Sequence, residues 1–312
     1  MSSYVPFADS WEARATIRTR PRRVLENDHK LIYPLSRQPL VLGQAFQQHC
    51  PQWRDFALVQ TLYKFINDIV IFETEIVDRT ARRIAKDRFA VAFPFAARYD
   101  AMTVVIDEDY HALVAMDFLQ QTIALTHIEP ITLPAEIELS HAIPAALALA
   151  PAHLQDAVEL ICVAIAENTV TNDVAAFSRD DSVKASVRGM MADHLLDEGR
   201  HSSFWARLVR LYWVDADEQD RTRIAAILPV FIGHYLTNAI QKRFDSHLIA
   251  KLPVCQAVRA ELAAEAAAMD FPIGHQHPLM ANIQRFFSQS GMLDSRCVQE
   301  ALGPLLTPQV RP

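Results

Sequence analysis

Two segments of the chain carry the same pattern: Ile106-Asp107-Glu108-Asp109-Tyr110-His111 and Leu196-Asp197-Glu198-Gly199-Arg200-His201, both [IL]-D-E-x-x-H. On a helix, residues three apart share one face at roughly 5–6 Å, so a carboxylate and an imidazole at that spacing can grip one metal ion. One such pair is a common accident. Two copies are not, because burying Glu, Asp and His together costs several kcal/mol unless they are paired or bind a metal. Two more acids stand in apolar surroundings, Glu73 after Ile69-Val70-Ile71-Phe72 and Glu167 after Leu160-Ile161-Cys162-Val163-Ala164-Ile165-Ala166. The order is therefore Glu, Glu-x-x-His, Glu, Glu-x-x-His, with 35 and then 31 residues separating the members of each half. Four-helix bundles that hold two metal ions use this arrangement, and carboxylate with imidazole suits iron or manganese. Glu75, two residues on, competes with Glu73 for the first position.

His194 breaks the symmetry. It lies four before Glu198 and seven before His201, on the same helical stripe, where the other half offers only Val104. Its register makes it a third imidazole donor. Asp107 and Asp197 have a separate use: a metal-bound imidazole nearly always gives its other N–H to a carboxylate or carbonyl. Each is expected to hold the histidine of the opposite helix. Gly199 leaves room near the metals or allows close helix packing. Tyr110, Phe204 and Trp205 either line an aromatic pocket or pack between helices. Phe65, Ile66, Ile69 and Val70 present an apolar wall with no cation, although Arg98, Arg188 or Arg200 could reach a substrate acid from elsewhere. His127, His141, His153, His234 and His247 lack partner spacing and read as structural or surface residues.

The elements that must position these groups read as helices. Apolar residues recur at three-to-four spacing from 53 to about 86, and further helices are expected over about 98–127, 153–177 and up to 213, the last with a capping region at Asp180-Asp181-Ser182. Residues 128–152, with four prolines, read as a connection holding at most one short helix. A fifth helix, about 217–248, is expected to break or kink at Pro229. Within it the run from Ile224 to Gln241 lacks Asp, Glu, Lys and Arg, yet Pro229, Gly233, His234, Thr237 and Asn238 make it a core helix rather than a membrane span. Shorter helices follow, separated by the loop 270–278. Residues 1–50 read as an irregular arm wrapping the surface, basic between Arg14 and Arg23. The remainder, 51–312, reads as one helical domain whose metal-binding core covers about 53–213.

Composition agrees. The 312 residues include only 7 glycines, about 2% against roughly 7% in average usage, which disfavours sheets, dinucleotide loops and P-loops. Four scattered cysteines make neither a disulfide framework nor a thiolate cage. A formal charge of −7 disfavours nucleic acid or an anionic membrane as partner. The N-terminus lacks the apolar stretch of a signal peptide, so the cytoplasm is the expected location. Without a G-x-G-x-x-G motif, electrons must come from an external reductase. The apolar helices suggest a homodimer.

Glu73, Glu108-x-x-His111, Glu167 and His194-x-x-x-Glu198-x-x-His201 resemble the seven metal ligands of the p-aminobenzoate N-oxygenase family, in order and approximate separation, across about 40% of the chain. Ordinary ferritin-like di-iron proteins lack a histidine at the position of His194. The resemblance implies an all-α, ferritin-like four-helix bundle core with additional helices and a non-haem centre of two iron ions. It implies oxidation of an amine by dioxygen towards hydroxylamine, nitroso or nitro products, often in natural-product biosynthesis. The amine is a free small molecule, such as an arylamine, or an amino acid tethered to a carrier protein. Four carboxylates would balance two ferrous ions, leaving a neutral centre that stays buried. A di-iron desaturase fits the same order apart from His194, and iron storage is the non-enzymatic alternative.

Overall fold

The computed structural model describes residues 4–269 and 271–306, and among these no strand occurs; one isolated bridge joins Leu31 to Val183. Four long helical segments follow from the apolar periodicity. The first is α5 (Arg54–Ile71), which runs through a π-helical turn (Phe72–Val77) into α6 (Asp78–Ala85). The others are α7 (Phe95–Thr126), α9 (Gln155–Ser178) and α10 (Ala185–Asp215). The α5–α6 segment packs along α7, and α9 packs along α10, so the two halves anticipated from the paired motifs are two helix pairs. This is the all-α, ferritin-like bundle expected.

The arm carries short helices α1 (Ala8–Arg14), α2 (Thr16–Thr19), α3 (Pro39–Leu42) and α4 (Gln44–His49). Its first part lies along α7 and α10, where Leu25 N donates to the Gln121 side chain and Ser186 N to the Glu26 carboxylate. The connection 128–152 contains α8 (Leu139–Leu149), with Pro144 inside it. After α10 come α11 (Glu218–Tyr235), α12 (Ala239–Lys251), α13 (Gln256–Ala268), α14 (Met280–Gln289) and α15 (Arg296–Leu306). Asp270, the first residue of the expected loop 270–278, lies outside the described residues.

Two boundaries differ from expectation. Pro229 sits inside α11 without ending it. The break comes at Leu236–Asn238, where Asn238 takes a left-handed backbone (φ 51°) before α12 begins. Asp180 does not cap α10: its carboxylate accepts from Ser182 N at 3.0 Å in a local turn, and the helix starts only at Ala185, after Lys184. By length and composition the stretch Glu218–Lys251 could cross a membrane, although 44% of its most apolar window is buried in the protein.

The apolar core is divided into two bodies. One gathers Phe72, Ile76, Val104, Val105, Ile161, Ala166, Phe204 and Trp205; the other gathers Ile66, Ile69, Ala115, Phe118, Phe177, Met190 and Met191. Along α7, α9 and α10 the positions between them include Glu108, His111, Glu167, His194, Glu198 and His201, while Glu73 follows Phe72 of the first body. A polar layer is thus set inside the bundle between two buried apolar bodies.

Candidate metal centre

Each helix delivers its donors by register. On α7, Glu108 and His111 fall on the inward face with Val104 and Ala112; on α10, His194, Glu198 and His201 share one stripe, all buried. Glu167 projects from the middle of α9, fully buried. Glu73, preferred to Glu75 from the sequence, sits in the π-helical turn. A wider turn inserts an extra residue into the helix and re-aims the side chains around it, a device frequent at functional sites. Here Glu73 is 1% exposed among the donors, whereas Glu75 points to solvent.

All seven expected donors meet. Glu73, His111, His194 and Glu198 form one group and Glu108, Glu167, Glu198 and His201 a second, the ligand atoms within each lying within 4.8 Å of one another. Glu198 belongs to both. His111 Nδ1 is 2.9 Å from Glu108 Oε2, and His201 Nδ1 is 2.8 Å from Glu108 Oε1 and 3.3 Å from Glu198 Oε1. His194 approaches through its other nitrogen, Nε2, at 3.3 Å from Glu198 Oε1 and 3.5 Å from Glu73 Oε1. The rings of His111 and His194 stack with centroids 4.1 Å apart.

Without cations, protons must balance so many buried charges. Burial and the neighbouring Glu108 raise the Glu73 carboxyl well above its ordinary range, and burial together with Glu198 does the same to Glu167. Burial works against Glu108 and Glu198 too, but the imidazoles outweigh it and leave Glu198 at about 2. Burial likewise opposes charging His111, yet Asp197 and Glu108 lift it to about 10, and Glu108 and Glu198 raise His201 well above normal. Both imidazoles thus favour their protonated form against the carboxylates, and a metal ion would take the place of the inward Nδ1 proton. Glu73 Oε2 and Glu198 Oε2 remain buried without a hydrogen-bond donor, a loss of about 1–3 kcal/mol or more each. Four carboxylates, three imidazoles and unsatisfied oxygens fit two divalent cations.

The outer faces of His111 and His201 are held as expected. His111 Nε2 lies 3.2 Å from Asp197 Oδ2, and His201 Nε2 lies 3.2 Å from Asp107 Oδ2. Sequence reasoning missed what holds the aspartates. Arg200 Nη2 bridges them, donating to Asp107 Oδ2 at 2.8 Å and Asp197 Oδ1 at 2.5 Å. It is therefore committed to this network, not to a substrate acid. From the arm, Trp11 Nε1 donates to both oxygens of Asp107 at 2.9 and 3.0 Å, and Thr16 donates to Asp197 through its backbone N and its hydroxyl.

A cavity of about 380 Å³ ends on His111 and His194. Ile69, Tyr110, Leu113, Val114, Phe118 and Met191 give it apolar walls, and the arm closes one side with Thr16 and the segment Arg20-Pro21-Arg22-Arg23. Of the expected apolar wall only Ile69 lines it; Phe65 instead packs against Tyr33 and Phe177. Phe204 and Trp205 are core residues packed on each other at 5.2 Å. Arg98 pairs with Asp87 and Arg188 with Asp181. The cations at the cavity come from the arm instead, with Arg22 paired to Asp117 and Arg20 and Arg23 to Asp193. Gly199 is exposed, and a Cβ there would meet nothing within 4 Å, so it serves neither the metals nor helix packing.

The family model described as p-aminobenzoate N-oxygenase AurF matches residues 7–283, which include all seven donors, both aspartates and the arm residues on them. The chain belongs to that family. A comparison with curated proteins returns no match. As a member of the p-aminobenzoate N-oxygenase family it is an oxygenase, and its buried Glu/His groups could bind metal.

Proposed function

We propose that this member of the p-aminobenzoate N-oxygenase family holds two iron ions between Glu73, Glu108, His111, Glu167, His194, Glu198 and His201 and uses dioxygen to oxidise the nitrogen of an aromatic amine. One observation carries the reading: His111 and His194 belong both to a four-donor group and to the floor of the apolar cavity. A substrate in that cavity would lie against the donors.

Iron bound there would supply the electrons with which dioxygen is activated. The chain supplies the rest. Glu73, Glu108, Glu167 and Glu198 balance the charge of two ferrous ions, so the loaded centre is neutral between its two apolar cores. Asp107 and Asp197 keep the Nε2 protons of His201 and His111 on the outer side and leave each Nδ1 lone pair facing inward. Ile69, Leu113, Val114, Phe118 and Met191 accept an aromatic ring, exclude water and bring the amino group towards His111 and His194. One oxygen atom of O2 goes to nitrogen and the other leaves as water, with two electrons and two protons from an external donor for each hydroxylation. A volume near 380 Å³ suits one substituted ring.

The test is anaerobic loading with two ferrous ions per chain, mixing with oxygen, and recording the visible spectrum. The expected result is a transient absorption whose decay accelerates with an added arylamine, with the hydroxylamine or nitro product recovered. Direct conversion to ferric iron, indifferent to amines, would overturn the reading in favour of iron storage chemistry.

A further inference from the structure

Asp107 and Asp197 lie buried where α7 meets α10, and their hydrogen bonds come largely from one distant piece of chain. Trp11 lies 96 residues from Asp107 in sequence and Thr16 lies 181 residues from Asp197. Trp11 Nε1 spans both oxygens of its aspartate, and Thr16 gives Asp197 two donors. Arg200, from α10, ties the two carboxylates together. Each aspartate thus looks inward to an imidazole and outward to the arm.

The same arm walls the cavity. Four residues beyond Thr16, the segment Arg20, Pro21, Arg22 and Arg23 forms its side. Arg23 grips Asp193 through Nε at 2.6 Å and Nη2 at 2.9 Å. Its guanidinium lies directly on Gly189, one turn earlier on α10, where any Cβ would collide with it. A glycine inside a helix is unfavourable relative to alanine, and here it makes room for the arm.

We propose that Trp11 and Thr16 are positioning residues of the metal centre and that docking of the N-terminal arm and metal binding are coupled. The proposal rests on the seven-donor reading above. The arm's donors keep Asp107 and Asp197 oriented as acceptors; the aspartates hold the Nε2–H of His201 and His111; Nδ1 of each ring is thereby aimed at the metal. In the other direction, a dication on Nδ1 makes the Nε2–H a stronger donor and tightens the chain of bonds back to the arm. By linkage the coupling is reciprocal: whatever factor the docked arm contributes to metal affinity, bound metal returns to arm docking. Because the arm also walls the cavity, loading the centre favours the complete substrate pocket.

The experiment uses Mn2+ as the probe, on the full chain, with two readouts that need no turnover. Calorimetric titration gives its affinity, and trypsin cleavage after the exposed Arg14 and Arg18, which flank Thr16, reports arm docking. In the unmodified protein Mn2+ is expected to slow that cleavage at least about fivefold. Trp11→Phe, which keeps the ring and loses the N–H, is expected to weaken Mn2+ binding about tenfold, at the lower end of the effect of removing such outer partners, and to lose most of the protection. Thr16→Val, tested in parallel, is expected to do the same through Asp197. In an Asp107→Asn background, Trp11→Phe should have little further effect on affinity, since its action runs through that carboxylate.

Cleavage indifferent to Mn2+, or unmodified affinity in both arm variants, would overturn the coupling. Fully additive losses in the double variant would also overturn it, because the arm would then be a general brace. Failure of the unmodified protein to bind Mn2+ or Fe2+ at all would instead defeat the seven-donor reading and this inference with it.

Discussion

Glu198 is the one side chain common to both donor groups, so Glu198→Gln is the sharpest single perturbation of the centre. It keeps the shape and removes one charge. In the metal-free protein that carboxylate faces three imidazole nitrogens, at 3.3 Å from His194 and His201 and 3.6 Å from His111. Unit charges 3.3 Å apart interact by about 5 kcal/mol at an effective dielectric of roughly 20, and a dication in the place of a proton would double the charge opposed. Desolvation offsets part of this, and breaking a buried pair costs about 3–5 kcal/mol net. Metal affinity should therefore fall by more than about a hundredfold at one position at least. The fold should survive, because the same carboxylate repels Glu73 and Glu167, and its removal relieves both. Ferrous iron is loaded anaerobically, excess is removed by gel filtration, and iron per chain is measured colorimetrically alongside circular dichroism. The expected outcome is at most one iron per chain in a helical protein with no amine oxidation. Two tightly held irons in the variant would refute the shared-carboxylate argument.

Other outcomes follow from the same structure. Asp78 is buried beside Asp109, and burial followed by that neighbour raises its carboxyl to about 8. The folded state thus holds a proton that the unfolded chain releases near pH 4, and stability drains as pH climbs through that window, by at most about 1.4 kcal/mol per unit. Asp78→Asn carries no such proton, so its stability relative to the unmodified protein should improve steadily from pH 5 to pH 8 in urea unfolding; parallel curves would contradict this. Gly199→Ala, at an exposed helical position with nothing within 4 Å of the new methyl, should stabilise the fold by about 0.5–1 kcal/mol with iron content unchanged. Val114→Phe adds bulk to the cavity wall one helical turn beyond His111, at a side chain that is not itself a donor. It should raise KM for an arylamine about tenfold while leaving two irons per chain, and an unaltered KM would show that substrate binds elsewhere.

The donors were legible because helical register is a local property. A period of 3.6 residues fixes that Glu108 and His111 share a face, and that His194, Glu198 and His201 do too, whatever else the chain does. The partnership of Asp107 and Asp197 with the opposite histidines followed from their place beside those donors. The paired helices were legible for the same reason, since apolar periodicity marks α5, α7, α9 and α10 along their length.

Only tertiary structure decided the rest. Glu73 was already preferred to Glu75 in the sequence, but the π-helical turn that carries both is marked by no composition rule. The break came at Asn238, in a left-handed backbone, rather than at Pro229, which the helix accommodates. Arg200 was read as able to reach a substrate acid because its two aspartate partners come from different helices, and Gly199 was read as leaving room for the metals or for close packing because its outward direction depends on how α10 is rotated in the bundle. The arm was read as a covering because its residues follow no period. What Trp11 and Thr16 do is set by hydrogen bonds to carboxylates 96 and 181 residues away. The sequence determined which atoms could bind metal, a matter of spacing along one helix. Which atoms hold those ligands in place, and close the cavity over them, was decided by contacts between segments far apart in the chain, where local sequence carries no signal.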